Sequence, residues 1–463
     1  MIKKFGYYDP SIDYVDRNAS YLLLVDSHFR VPIVQSKDGF FLVGGGIEEN
    51  ENVYDCLRRE IMEEIGGTVG ELSLICETQT YFYSIEFGDM RKAHNYFLYT
   101  DDLTISTSNH EDIGLYWLSF SDAITRLTLE HQKWALQYFR SVIKSLTTSK
   151  EIIDSINFID GLMRLDVELV KRVPKSDLHN HAVFGGSQED FELLTGVKVE
   201  RLKSQLTAFD EFSNWCDKQV SNHFRNRTGF LQRIESALIT AKNDNIIKLC
   251  FNIGVCSMKF FSSSVDLINS IELLRKKHFS GREFLPELCL DRQKATDNQY
   301  QRWFYDLLES EYFKTLDLTG DEFAPLEPVI PMYRDAEAHG LLLKAHVAEY
   351  SDYLFAMETA KLLHLTQIQH GNTLVENIET LKWLCDSGIQ LNMCPTSNYY
   401  LARVDSVAHH PIKKLFRNGV KVTVNSDDAL IFGKTVTDEY FELYKNHVLN
   451  AEDLNQIRIR GLK

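Results

Sequence analysis

Four short polar clusters, each directly after an apolar run, constrain this chain more than any other feature: His179-Asn180-His181, His346-Val347-Ala348-Glu349, His370-Gly371 and Asp427-Asp428. In this order, imidazoles and carboxylates can build a mononuclear zinc site with a general acid, a water-orienting histidine and a polar substrate anchor. Zinc activation of water needs neutral imidazoles and a carboxylate that leave one position open for the nucleophile. His179 and His181 are two apart, so on a strand both project from one face and reach the same ion. Strand-like segments precede polar or glycine-rich ends at 177–181, 247–256, 286–291, 314–319, 341–346, 366–370, 389–394 and 421–425. Eight βα units fit a TIM barrel, with the clusters at the ends of the first, fifth, sixth and eighth strands. Such barrels carry their sites on the C-terminal face, where these ends converge.

The arrangement resembles the adenosine/AMP deaminase family. The carrying segments are Pro174-Lys175 ahead of His179-Asn180-His181, His346 to Glu349, Gln369-His370-Gly371 and Asn425-Ser426-Asp427-Asp428. Cys394-Pro395-Thr396-Ser397-Asn398 and His410-Pro411 also look like family segments. The resemblance implies that His179, His181, His346 and Asp427 hold zinc and that Glu349 shuttles a proton to the ring nitrogen. It implies that His370 orients and helps deprotonate the metal-bound water, that Asp428 hydrogen-bonds the purine, and that the backbone of Gly320 meets the base. Attack at C6 of adenine needs such a set, because ammonia leaves only when ring and amine are protonated. In adenosine deaminases an aspartate follows the second zinc histidine by two residues, and here Val183 stands there. With Gly185, Gly186 and Ser187 as an anion-binding turn, this gives the expectation of a 5′-phosphorylated substrate.

A second signature runs from Gly45 through Glu51 to Arg59-Glu60-Ile61-Met62-Glu63-Glu64-Ile65-Gly66 and resembles the Nudix box. Its one departure is Gly67, where an aliphatic residue is usual. Glu60, Glu63 and Glu64 share a helix face, and crowded carboxylates repel one another unless a cation sits among them. Hard oxygen ligands suit Mg²⁺ or Mn²⁺ bridging to substrate phosphates. Glu60 and Glu63 are also the candidates for the catalytic base, and the sequence leaves that choice open. Arg59 would orient a carboxylate through its guanidinium fork.

The 463 residues suffice for two or three domains, 44% of them hydrophobic and 25% charged. Expected are a Nudix-like α/β/α sandwich over 1–146, a linker and connecting helix over 147–173, and a deaminase-like (β/α)8 barrel over 174–463. In the first, helices are expected at 53–65 and 121–143. The net charge of −16 argues against nucleic-acid and anionic-membrane partners. Eight scattered cysteines without a C-x-x-C read as reduced thiols, hence a cytoplasmic protein. The partners expected are small adenine nucleotides or nucleosides, and self-association stays open. Three functions stand at this stage. One is a bifunctional purine nucleotide enzyme, deaminating adenine nucleotides and hydrolysing nucleoside phosphates in pool control or antiviral defence. The second is a deaminase whose Nudix-like domain only senses nucleotide or aids oligomerisation, and the third is a scaffold of two inactive enzyme folds.

Overall fold

The computed structural model describes residues 2–85, 87–105, 114–200, 202, 204–206, 211, 214, 215, 218, 219 and 225–463. The chain divides into two compact units, Met1–Asn157 and Phe158–Lys463. Cys216 lies outside the described residues, and the other seven cysteines are free thiols.

The first unit contains strands β1 (Ile2–Phe5), β2 (Val15–Asp16), β3 (Ala19–Leu23), β4 (Val31–Ser36), β5 (Gly39–Leu42), β6 (Gly44–Gly46), β7 (Gly67–Val69), β8 (Ser73–Ser84), β9 (Asp89–Tyr99), β10 (Leu103–Ile105) and β11 (Gly114–Leu118). One sheet runs β1-β8-β9-β3-β6 with β2 joined to β9; a second is β11-β4-β5, and β7 pairs with β10. Helix α1 (Val53–Ile65) starts at Asn52, whose side chain accepts from the amides of Tyr54 and Asp55, and ends at Gly66 with φ 62°. Leu57, Ile61 and Ile65 on α1 bury with Leu22, Val34, Val43 and Leu98, each contributing about 1.5–3 kcal/mol by leaving water. Gly67 suits this packing, because a Cβ there would stand 3.1 Å from both Ile61 Cγ2 and Leu103 Cδ1.

Two expected helices are each broken in two. Residues 121–143 give Phe120–Arg126 and Glu130–Leu146. Between them Thr128 docks on β5, its amide donating to Phe40 O at 2.9 Å and its hydroxyl accepting from Phe40 N at 3.0 Å. The connecting helix becomes Lys150–Arg164 and Val167–Arg172. Leu165 turns left-handed at φ 56°, and Asp166 caps the second piece by accepting from Leu169 N at 3.0 Å.

The second unit is an eight-stranded parallel barrel in sequence order: β12 (Lys175–His181), β13 (Ile246–Gly254), β14 (Glu283–Asp291), β15 (Thr315–Thr319), β16 (Leu342–Val347), β17 (Gln367–His370), β18 (Gln390–Met393) and β19 (Lys421–Val424). Its seam is a parallel bridge between Asn180 and Asp427, where Asp427 N donates to His179 O at 3.0 Å and His181 N donates to Asp427 O at 3.3 Å. The residues read as ligands therefore close the barrel. Its interior carries charge: Lys344 Nζ meets Glu287 at 2.9 Å, and Asn252 links Glu287 (3.2 Å) to Asp317 (2.9 Å). Buried charges persist where they are paired and hydrogen-bonded, as these are. Lys175 is buried too, donating to the carbonyls of Val170, Lys171 and Val173 at 2.9–3.3 Å. Among the described residues no helix is long and apolar enough to cross a membrane.

Candidate metal centre and Nudix box

β12 ends in His179 and His181, β16 carries His346 near its end, β17 ends in His370, and Asp427 follows β19 by three residues. The His179 ring lies 4.9 Å from that of His181, 4.8 Å from His346 and 5.0 Å from His370. Asp427 Oδ1 stands 3.1 Å from His179 Nε2 and 3.8 Å from His181 Nε2. One ligand nitrogen from each of His179, His181 and His346 lies within 4.8 Å of the others. A tetrahedral ion with bonds of about 2.1 Å spaces its donors roughly 3.4 Å apart, so this set fits one zinc after small adjustment. His181 Nε2 and Glu349 Oε1 are buried with no hydrogen-bond partner among the described residues. Such orphaned atoms are costly unless an ion or substrate takes them.

The electrostatics divide the groups by role. Burial pushes the Asp427 carboxyl up, yet His179, His181 and His370 hold it well below the usual range, so it is ionised. Burial pushes His346 down, but Asp317, 3.3 Å from Nδ1, carries it up to about 10. With Nδ1 facing Asp317 and the Leu318 carbonyl (3.2 Å), Nε2 of His346 is the nitrogen left for metal. Burial raises Glu349 to about 8 against the pull of His346, so it carries a proton at neutral pH. Asp428, raised by burial to about 7, sits 3.4 Å from His181 Nδ1. Cys394 Sγ also approaches His179 and Asp427, but burial, with Asp427 nearby, pushes its thiol well up and leaves it neutral.

Ala348, His370 and Asp427 all have left-handed backbone, at φ 57°, 64° and 57°. Non-glycine residues hold such angles only where their surroundings impose them. At Ala348 the holder is Glu322, a buried carboxylate that accepts from the amides of Glu349 (3.1 Å), Tyr350 (2.8 Å) and Ser351 (3.2 Å) and from the Ser351 hydroxyl. The His370 ring is held by Asn398, whose amide nitrogen lies 3.0 Å from Nδ1 and whose amide oxygen lies 3.1 Å from His410 Nε2. The Cys394–Asn398 and His410-Pro411 segments thereby acquire a place beside the site. Sequence reading gave no role to Asp317 or Glu322, although an aspartate inside the apolar run Leu316–Leu318 is the signal of a side chain turned into the barrel.

Gly320, at φ 97°, follows β15, and a Cβ there would crowd Asp291 Oδ1 at 3.2 Å. Where an anion-binding turn was expected at Gly185, Gly186 and Ser187, the chain is closely packed and one of the three amides is engaged. A side chain on Gly185 would collide with Asn180, and one on Gly186 with Ser236, so close packing requires both. The Ser187 amide already donates to Thr240 Oγ1 at 2.7 Å, and the Ser187 hydroxyl caps the following helix through Asp190 N at 3.0 Å.

In the N-terminal unit Arg59 is a hub. It donates to Glu51 (3.0 Å), Glu60 (2.9 Å), Glu63 (3.0 Å) and the Gly46 carbonyl (3.0 Å). Glu64 instead accepts from Gly44 N at 2.8 Å. The side chain of Glu60 is 15% exposed and that of Glu63 59%, so Glu60 points inward while Glu63 stands at the rim. Burial raises the carboxyls of Glu60 and Glu64, the latter to about 7. Among the described residues these carboxylates do not gather around one point as the barrel residues do. A cation here needs Glu60 or Glu63 to turn from Arg59.

Comparison with known proteins agrees with both readings. The adenosine deaminase family profile matches residues 288–463, and the Nudix domain profile matches 10–139. The chain is 30% identical over 304 residues to the adenine deaminase of Psychrobacter cryohalolentis, covering 62% of this chain and 91% of that protein. It is 25% identical over 298 residues to a putative adenosine/adenine deaminase of Treponema pallidum, covering 63% of this chain and 99% of that one. Among solved structures, the barrel resembles a cog1816 amidohydrolase from Burkhoderia ambifaria with bound Zn, with TM-score 0.52, 22% identity and coverage of 62% and 84%. Strand-end histidines, the Asp427 seam and the Glu349 turn thus sit in a chain that belongs to the adenosine deaminase family and carries a Nudix domain ahead of its barrel.

Proposed function

We propose that the barrel hydrolytically deaminates an adenine ring with one zinc ion held by His179, His181, His346 and Asp427. The observation that carries this reading is the convergence of those four residues beside the buried Glu349, whose carboxyl burial pushes up to about 8. Zinc, when bound, lowers the pKa of water and so supplies a nucleophile at neutral pH. Glu349 holds the proton that the ring nitrogen needs, Asp428 accepts from the purine, and Gly320 offers its backbone to the base. The Psychrobacter relative is named for adenine and the Treponema relative for adenosine or adenine, so the substrate proposed is any compound presenting that ring. With the Ser187 amide engaged by Thr240, a preference for a 5′-phosphate would rest on Val183 and the amides of Gly185 and Gly186.

For the N-terminal unit we propose Mg²⁺- or Mn²⁺-dependent hydrolysis of a nucleoside-diphosphate-linked bond, with Glu60, Glu63 and Glu64 as metal carboxylates. Together the units would act on the purine pool. Incubating the full chain with adenine, adenosine, AMP, ATP and the deoxy forms, followed by mass-resolved chromatography, tests both halves. Hypoxanthine-ring products and phosphate or pyrophosphate release are expected. A zinc-loaded chain that deaminates none of the panel ends the first proposal, and nucleotide binding without release would recast the N-terminal unit as a sensor.

A further inference from the structure

We infer that Asn398 and His410 are positioning residues that fix His370 with its proton on Nε2, so that His370 meets the reaction as an N–H donor and not as a base. The catalytic consequence rests on the deaminase reading; the tautomer itself does not. The argument starts from a group whose polarity is beyond choice, the backbone amide of Ile412, which donates to His410 Nδ1 at 3.2 Å. A peptide N–H has no lone pair to offer, so Nδ1 of His410 is unprotonated. Burial keeps this imidazole neutral, and its single proton is therefore on Nε2, directed at Asn398 Oδ1 at 3.1 Å.

That bond orients the amide. With Oδ1 accepting from His410, Nδ2 faces His370 Nδ1 at 3.0 Å, and an amide NH2 only donates. Nδ1 of His370 therefore carries the lone pair. An imidazole that keeps a lone pair on Nδ1 carries its proton on Nε2, the nitrogen facing Glu349 Oε2 at 3.7 Å and Asp427 Oδ2 at 3.9 Å. His370, Asn398 and His410 are no more than 3% exposed, so bulk water does not compete for these bonds. Three successive donors thus point one way, from the start of the Ile412–Arg417 helix to the barrel mouth. On this inference His370 does not help deprotonate the attacking water, because the lone pair it would need is turned away and occupied. An Nε2–H aimed at the site instead orients an oxygen by donating to it.

The test uses the full-length chain labelled with [15N]histidine, metal-free and zinc-loaded, with the His370 signal identified by its loss in His370→Asn. Long-range 15N–1H spectra should show Nε2–H at both His370 and His410; Nδ1–H at His370 in the wild type overturns the inference. Asn398→Asp is nearly isosteric but accepts from both neighbours, so His370 should switch to Nδ1–H. A wrong tautomer at a catalytic histidine costs up to about 10⁴ in kcat in a serine-protease triad, and a loss of about 100-fold or more is expected here, with KM and zinc content little changed. An Asn398→Asp protein with unaltered His370 signal and kcat also overturns it. Should that variant not fold, the wild-type spectrum decides alone. If the wild type shows Nε2–H but no deamination, the relay stands and the deaminase reading falls.

Discussion

In the barrel, ligands are gathered from residues as distant as His179 and Asp427, each fixed by a strand end and by a buried partner behind it. In the N-terminal unit, the short strand β6, the loop after it and helix α1 supply the whole box between Gly44 and Gly67. The barrel site is preorganised: its imidazoles already face one another, and atoms such as His181 Nε2 have no other bond to break. The box is self-satisfied, because Arg59 binds Glu51, Glu60 and Glu63. Distant residues on strand ends thus make a site whose polar atoms already converge, whereas neighbouring residues on one helix make one whose carboxylates are already engaged.

The largest effect should come from breaking the barrel's ligand set. Asp427 is a poor probe because its backbone is left-handed at φ 57°, a conformation that alanine adopts less readily than aspartate. His181→Ala is cleaner, since its side chain is 22% exposed and its loss leaves the strand intact. Zinc should fall from one per chain towards none, and deamination by roughly 10³-fold or more, as expected when the activated water is lost. Phosphate release by the N-terminal unit should persist in the same protein. Zinc analysis showing a full complement in His181→Ala would break the contrast drawn above. Glu349→Gln comes next. It keeps shape and burial but has no acidic proton, so kcat should drop about 10²–10⁴-fold with zinc retained; a kcat within threefold of wild type would remove Glu349 as the acid.

Much of this was legible in the sequence, for reasons that differ between the units. The Nudix box is local, so Gly45, Glu51, Arg59 and the glutamates could be read as one helix and turn. The convergence of His179, His181, His346 and Asp427 was legible because each closes an apolar run, and eight such runs have few ways to close. What stayed hidden depends on contacts between segments far apart in the chain. Glu322 reaches the 349–351 amides across 27 residues or more, and Asn398 reaches His370 across 28. The packing role of Gly185 and Gly186 stayed hidden for the same reason: a glycine pair ahead of a helix reads as an anion turn, and only the fold shows Asn180 and Ser236 in the space a side chain would need. Thr128 and Leu165 broke two helices through a docking contact and a backbone angle that helical periodicity does not report.

Glu322→Gln probes the hidden layer directly. The amide keeps an oxygen for one or two backbone N–H groups but sets an NH2 against the rest and removes the charge. Charge-assisted hydrogen bonds are worth about 1.5–3 kcal/mol, so a loss near the lower end lowers kcat by about 10–30-fold if the turn relaxes. Zinc content should hold and KM should change little, because the defect lies in where Glu349 stands. Equal loss of zinc and of kcat would instead make Glu322 a general support of the barrel.

The smallest effect is a pH dependence confined to the Nudix box. Burial raises Glu64 to about 7, from an ordinary 4.5. A cation takes the carboxylate form, so below pH 7 binding must expel this proton. Apparent Mg²⁺ affinity should therefore rise by up to about tenfold per pH unit as pH approaches 7 and level off above it. The metal-free unit responds in the opposite direction. A folded pKa above the unfolded value gives stability that is fully present below about 4.5 and is lost as pH rises through about 7, so added Mg²⁺ should raise Tm more at pH 8 than at pH 6. Calorimetry at pH 6 and pH 8, in buffers of different ionisation enthalpy, reads the proton released. Glu64→Gln should abolish that release, and its Mg²⁺ binding should lose the pH dependence. Equal Mg²⁺ affinity at the two pH values in the wild type would show that Glu64 is not among the ligands, leaving Glu60 and Glu63 to be prised from Arg59.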